Sequence, residues 1–116
     1  MRLSIDLPVH WLSKDARFRI IETLLSTRTV KSLASELGVS RSAIKKYINR
    51  VTHPSDETIS RVFEILAPYE KEAVIKIVID DLIEAIKKLI NNLDNENHRE
   101  YFLQKIREIG GVFEKQ

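Results

Sequence analysis

Six polar side chains, Arg41, Ser42, Lys45, Lys46, Asn49 and Arg50, interleave with Ile44 and Ile48 at i, i+4 in one short segment. On a helix that spacing sets the isoleucines on one face and the polar groups on the other. A guanidinium donates through a rigid fork, a hydroxyl donates or accepts, and each lysine supplies a point charge. This is the chemistry of recognising an anionic, acceptor-rich surface. Between Arg28 and Arg50 six cations face a single acid, Glu36, a local excess of +5. Such an excess is the electrostatic footprint expected of a duplex-binding surface.

A segment that presents such a face has to be held from behind. Gly38 follows an apolar-periodic stretch and suits the left-handed backbone that ends a helix sharply. Ala34, four residues earlier, sits where one helix crosses the next and little more than a methyl group fits. Leu33, Leu37, Val39, Ile44 and Ile48 are the apolar residues expected to hold the two helices as a unit. Thr29 and Ser40 are good N-caps for them.

The stretch Val30 to Asn49, VKSLASELGVSRSAIKKYIN, resembles the helix-turn-helix of the lambda Cro and lambda repressor-like (XRE) family, and GVSRSAIKKYIN is close to the Cro type. His53-Pro54-Ser55-Asp56-Glu57-Thr58-Ile59 is similar to the family's Pro-Ser-x-x-Thr-Leu signature, which leads into the fourth helix of a five-helix DNA-binding domain. The resemblance covers roughly residues 14–67. It implies that the third helix (41–50) enters the major groove with Arg41, Ser42, Lys45 and Lys46 toward base edges, while the second crosses the backbone. Arg41 is the first choice for a bidentate contact to guanine. Thr29, Lys31, Ser40, Asn49 and Arg50 are the candidates for phosphate contacts, which position without reading sequence. Many members begin the motif with a Gln that contacts phosphate; Val30 stands there in this chain, and Thr29 and Lys31 are expected to take over that contact.

The chain has 116 residues, enough for one compact domain or a small DNA-binding domain with a helical extension. With no Cys there are no disulfides or thiolate metal sites, which suits a reducing interior. His10, His53 and His98 have no paired ligand spacing, so no metal site is expected. There is no nucleophile with a partnered base and no phosphate-cradling glycine loop, so no enzyme, cofactor or small-molecule ligand is expected. No apolar run approaches a membrane span, and MRLSIDLP lacks the core of a signal peptide, so a cytoplasmic protein is expected. Fifteen isoleucines, 31% charged residues and three glycines resemble the composition of hyperthermophile proteins and suggest a thermophilic archaeal source.

The periodicity predicts an all-α chain: a lambda repressor-like domain over 1–67 and a two-helix dimerisation region over 68–116. The first helix is expected from Lys14 to Ser26 under a Ser13 cap, burying Ile20, Ile21, Leu24 and Leu25. The fourth starts at Asp56 under Ser55 and buries Ile59, Val62, Phe63 and Leu66. A long fifth runs from Pro68 to about Leu93, and a sixth from about His98 to Ile109, stopped by Gly110-Gly111. Leu3, Ile5 and Leu7 alternate in a hint of a strand over Met1–Leu7, and Arg2 is a weak candidate for a groove-probing arm. Trp11 is read most simply as an anchor packing the N-terminal lead-in onto the core, with a DNA or partner contact as the alternative, Tyr47 either as a sugar or phosphate contact or as packed against the fourth helix, and Asp80-Asp81 as outer-face residues.

Residues 1–56 carry a net +5 and residues 57–116 a net −3, so the basic half holds the motif and the acidic half has a different job. In the fifth helix Ile75, Ile79, Leu82, Ile86, Leu89 and Leu93 are spaced 4, 3, 4, 3, 4, the seam of a left-handed helical packing that favours two strands if the pairing is parallel. Val78, Ile83, Ala85 and Ile90 widen that face, and packing against Phe102, Ile106, Ile109 and Phe113 of the sixth helix is expected. The expectation is a homodimeric transcriptional regulator, a repressor by analogy. The alternatives are an antitoxin-like subunit whose C-terminal helices bind a protein partner, and an architectural or partition protein that binds DNA with little sequence preference.

Overall fold

A computed structural model describes residues 6–114. Among them there are six α-helices and no strand: α1 (Lys14–Leu25), α2 (Val30–Leu37), α3 (Arg41–Ile48), α4 (Asp56–Ile65), α5 (Pro68–Asn91) and α6 (Glu96–Glu114), preceded by a single 3-10 turn at Val9–Trp11. Of the strand and arm suggested at the N-terminus, residues 1–5 lie outside the described part, and Leu7 packs half-buried against the core.

Four helices begin as their capping residues dictate. The hydroxyls of Ser13, Thr29, Ser40 and Ser55 accept from the backbone N–H three residues on, at 3.0–3.2 Å. Each satisfies one of the donors a helix leaves unpaired at its start. Ser13 is itself held, because its N–H donates to Asp81 Oδ2 at 2.9 Å and its hydroxyl to Asp81 Oδ1. Asp81 is therefore a tie between α5 and the start of α1, not an outer-face residue.

The core is built from Ile20, Ile21 and Leu24 of α1, Leu33 and Leu37 of α2, Ile44 of α3, and Ile59 and Val62 of α4, all buried. Val74, Ile77 and Val78 of α5 join the same cluster. The chain divides into two compact units, residues 1–82 and 83–116, so that the division falls inside α5 after Leu82. In the second unit no described residue is buried, and α6 buries none of its side chains.

Two further expectations fail for physical reasons. Trp11 is 73% exposed, and the lead-in is anchored instead by Leu12 at 5% and by the guanidinium of Arg17. α6 does not stop at Gly110-Gly111 but continues to Glu114. Glycine ends a helix when it enters the left-handed region, and here only Gly38 among the described glycines does so.

Arg17 is the polar centre of the first unit. Its guanidinium donates to the carbonyls of Leu12, Pro54 and Val9 at 2.8–3.2 Å and to Asp56 Oδ1 at 2.6 Å. One planar fork thus fixes the lead-in and the loop between α3 and α4. Asp56 also accepts from His10 Nδ1 at 2.8 Å. The hydrogen bond from His10, and after it that from Arg17, hold the Asp56 carboxyl below its ordinary value of 3.8. The folded state therefore binds fewer protons at this group than the unfolded chain does, and its stabilisation is present above about pH 4 and lost as pH falls through the lowered folded value. An Asp56→Asn variant should melt below the wild type at pH 7, and thermal melts from pH 7 to 2.5 should show the gap closing below about pH 4.

Candidate nucleic-acid interface

The turn between α2 and α3 is made by Gly38 at φ 70°. Its N–H donates to Ser35 O at 3.3 Å, and the N–H of Val39 reaches back to Ala34 O at 3.0 Å. This is the paired closure that satisfies the last carbonyls of a helix. Arg61 of α4 donates to the neighbouring carbonyl of Leu37 at 2.9 Å. A Cβ on Gly38 would lie 2.9 Å from Arg61 Nη1, the movable end of a long side chain, so it is the left-handed backbone rather than lack of space that favours glycine here. Ala34, 3% exposed, sits in the α2–α3 packing as its size requires.

α3 has one buried face, Ile44 and Tyr47, and presents the rest. The sequence left Tyr47 open between a nucleic-acid contact and packing; it is buried. Ile48 is 42% exposed, so Ile44 holds α3 without the second isoleucine of the pair. Arg41, Ser42, Lys45 and Lys46 are all exposed on the opposite face. Ser40 caps α3 beside them, Thr29 caps α2, and Lys31 is exposed in the first turn of α2. Both helix starts thus combine a capping hydroxyl, free N–H groups and the positive end of the helix dipole. Asn49 is exposed as the C-cap of α3.

The remaining cations of the motif pair with carboxylates of their own unit, Arg28 in a largely buried position and Arg50 at the surface. Arg28 pairs with Glu70 at 2.9 Å and Glu36 at 3.3 Å and donates to Ile65 O. Arg50 lies over the Phe18 ring at 4.8 Å, donates to Glu22 at 3.1 Å and approaches Asp15 at 3.7 Å. Nothing in the sequence marks Arg28 and Glu70, 42 residues apart, as partners. Among the described residues Lys31, Arg41, Lys45 and Lys46 form no ion pair. The uncompensated positive charge of the motif is thereby gathered on α3 and at the start of α2. No group of His, Asp and Glu able to hold a metal ion occurs among the described residues, and no helix there is long and apolar enough to cross a membrane.

Residues 25–67 match the family model described as Helix-turn-helix. This segment is a helix-turn-helix of the lambda Cro and repressor-like kind. The helix-turn-helix match takes in α2, α3 and α4 and starts at the last residue of α1, although Ile20, Ile21 and Leu24 belong to the same core. It marks the segment as the DNA-binding part of a regulator of the XRE kind. No curated protein and no solved structure matches the chain.

The end of the helix-turn-helix shows where the chain departs from backbone preference. Arg50 is the one described non-glycine residue with positive φ, at 57°. It occupies the place that Gly38 fills after α2: its N–H donates to Tyr47 O at 3.1 Å and that of Val51 to Lys46 O at 2.8 Å. A left-handed arginine is held at a backbone cost of about 1 kcal/mol. Arg50→Gly and Arg50→Ala both remove the contacts to Phe18 and Glu22, and they differ in that cost. Denaturant unfolding should find Arg50→Gly the more stable of the two by roughly 0.5 to 1 kcal/mol.

Proposed function

We propose that the protein is a sequence-specific double-stranded DNA-binding transcriptional regulator that acts as a homodimer, repressing by occupying its operator. The observation that carries this reading is the sorting of charge in the motif: Arg28 and Arg50 are paired with carboxylates of their own unit, whereas the cations left without carboxylate partners are on the exposed faces of α2 and α3. α3 enters the major groove. Arg41 reads a guanine through its fork, Ser42 donates or accepts, and Lys45 and Lys46 reach neighbouring acceptors. Thr29, Lys31, Ser40 and Asn49 contact phosphates and set the register. Arg50, a further phosphate candidate by position, would have to leave Glu22 and Phe18 to do so, and its first role is to close α3.

A single module of this size covers little DNA, and useful affinity comes from two half-sites about one helical turn apart. The second copy is brought by α5 and α6. Of the expected seam, Ile75 and Leu82 pack in part against the chain's own core and Leu93 follows the end of α5, whereas Ile79 and Leu89 are about half exposed and Ile86 partly so, which leaves these three to pair. Exposed apolar side chains in one row suit an association surface.

Selection from a randomised duplex library tests the reading. The wild type should enrich a palindrome with half-sites one or two turns apart, and the Arg41→Ala, Lys45→Ala variant should lose that enrichment. Single-site competition should show Arg41→Ala relaxing discrimination at one base by about 1 to 3 kcal/mol. Binding without any enriched motif would contradict sequence-specific regulation and favour an architectural role.

A further inference from the structure

α6 carries four large apolar residues, Phe102, Ile106, Ile109 and Phe113, spaced 4, 3, 4 on one face. In this chain Phe113 is 74% exposed, Ile109 56% and Ile106 38%, and Phe102 is half-buried. The unit of residues 83–116 has no buried described residue, and a unit this short does not hold itself together in water without a partner. The spacing is symmetric about the point between Arg107 and Glu108. When the helix is laid antiparallel on a copy of itself, Phe102 meets Phe113 of the second copy and Ile106 meets Ile109, each twice. A second copy supplies the same stripe, so that one two-fold contact covers both faces, with Phe102 on Phe113 and Ile106 on Ile109 and each pair repeated by the axis.

We infer that α6 pairs antiparallel with α6 of a second copy in the register that sets Phe102 against Phe113. This inference rests on the dimeric reading above and names how the second copy is held. The flanks fit the same register. Gly110 falls beside Leu103 of the second copy, and a Cβ built on Gly110 meets nothing within 4 Å in its own chain. Glycine inside a helix is unfavourable, and the approach of that leucine gives this one a use. Lys105, 3.6 Å from Glu108 of its own chain, lies beside Val112 of the second copy and within reach of its Glu108, and Arg99, which donates to Leu93 O at 2.6 Å, lies on the side of Glu114, so that no like charges are forced together in this register. An open crevice of about 460 Å³, lined by Ile90, Leu93, Phe102 and Leu103 together with Asn91 and Arg99, adjoins Phe102 on the side from which Phe113 of the second copy would approach.

The chain has no cysteine, so introduced thiols report one geometry. Full-length Phe102→Cys and Phe113→Cys proteins, mixed, allowed to exchange and then oxidised, should give a mixed disulfide dimer. Phe102→Cys alone should not link, because in this register its two copies stand eleven residues apart, about 16 Å along the axis, and a disulfide needs Cα atoms within about 7 Å. Leu103→Cys mixed with Gly110→Cys keeps both phenylalanines and should link as well. Sedimentation equilibrium of the unsubstituted chain should give a dimer. A dimer in which Phe102→Cys links to itself, or in which neither mixture links, would overturn the antiparallel register and leave the dimeric reading standing. A monomer at all concentrations would overturn both.

Discussion

The buried carboxylate of Glu70 is the contact on which the arrangement of the first unit depends. It is 3% exposed and accepts from Thr27 Oγ1 at 2.8 Å, Arg28 Nη1 at 2.9 Å and the N–H of Ala67 at 2.9 Å. Arg28 in turn donates to Ile65 O at the end of α4 and pairs with Glu36 of α2. One ion pair therefore joins the turn before α2, the end of α4 and the start of α5. Desolvation offsets much of the Coulombic gain of such a pair, so its main product is geometry, whereas leaving one member alone costs about 3 to 5 kcal/mol. With Asp81 on Ser13 farther along, α5 is fixed to the helix-turn-helix at two places.

That fixing decides which cations are left for function. Arg17, Arg28, Arg50 and Arg61 are arginines, and each uses its planar fork on carbonyls or carboxylates within the unit. Of the four cations that stay unpaired on α2 and α3, three are lysines, whose compact charge suits a phosphate, and one is Arg41 at the exposed start of α3. A count of basic residues in the motif overstates the interface by two, and the structure removes those two by pairing them.

Much of this was legible because it is local. A capping hydroxyl acts on an amide three residues away, so Ser13, Thr29, Ser40 and Ser55 marked four helix starts correctly, and Gly38 marked the turn. What escaped was long-range or conditional. Arg17 and Glu70 are charged residues whose burial depends on partners 37 to 43 residues distant. Trp11 was expected inside on size and hydrophobicity, but the geometry of the lead-in turns Leu12 inward instead. Gly110-Gly111 was expected to stop α6, since glycine permits a left-handed backbone but does not compel it. Arg50 in that backbone carries no sequence mark, because its conformation is imposed by the closure of α3 and by Phe18 and Glu22.

The most direct test of the account is an amide chemical-shift titration of the full-length protein with a duplex it selects. If the unpaired cations on α2 and α3 form the reading surface, the largest perturbations fall on Thr29–Ser32 and Ser40–Lys46, while the amides of 96–114 stay in place. Perturbations centred on α6, with α3 unmoved, would contradict it.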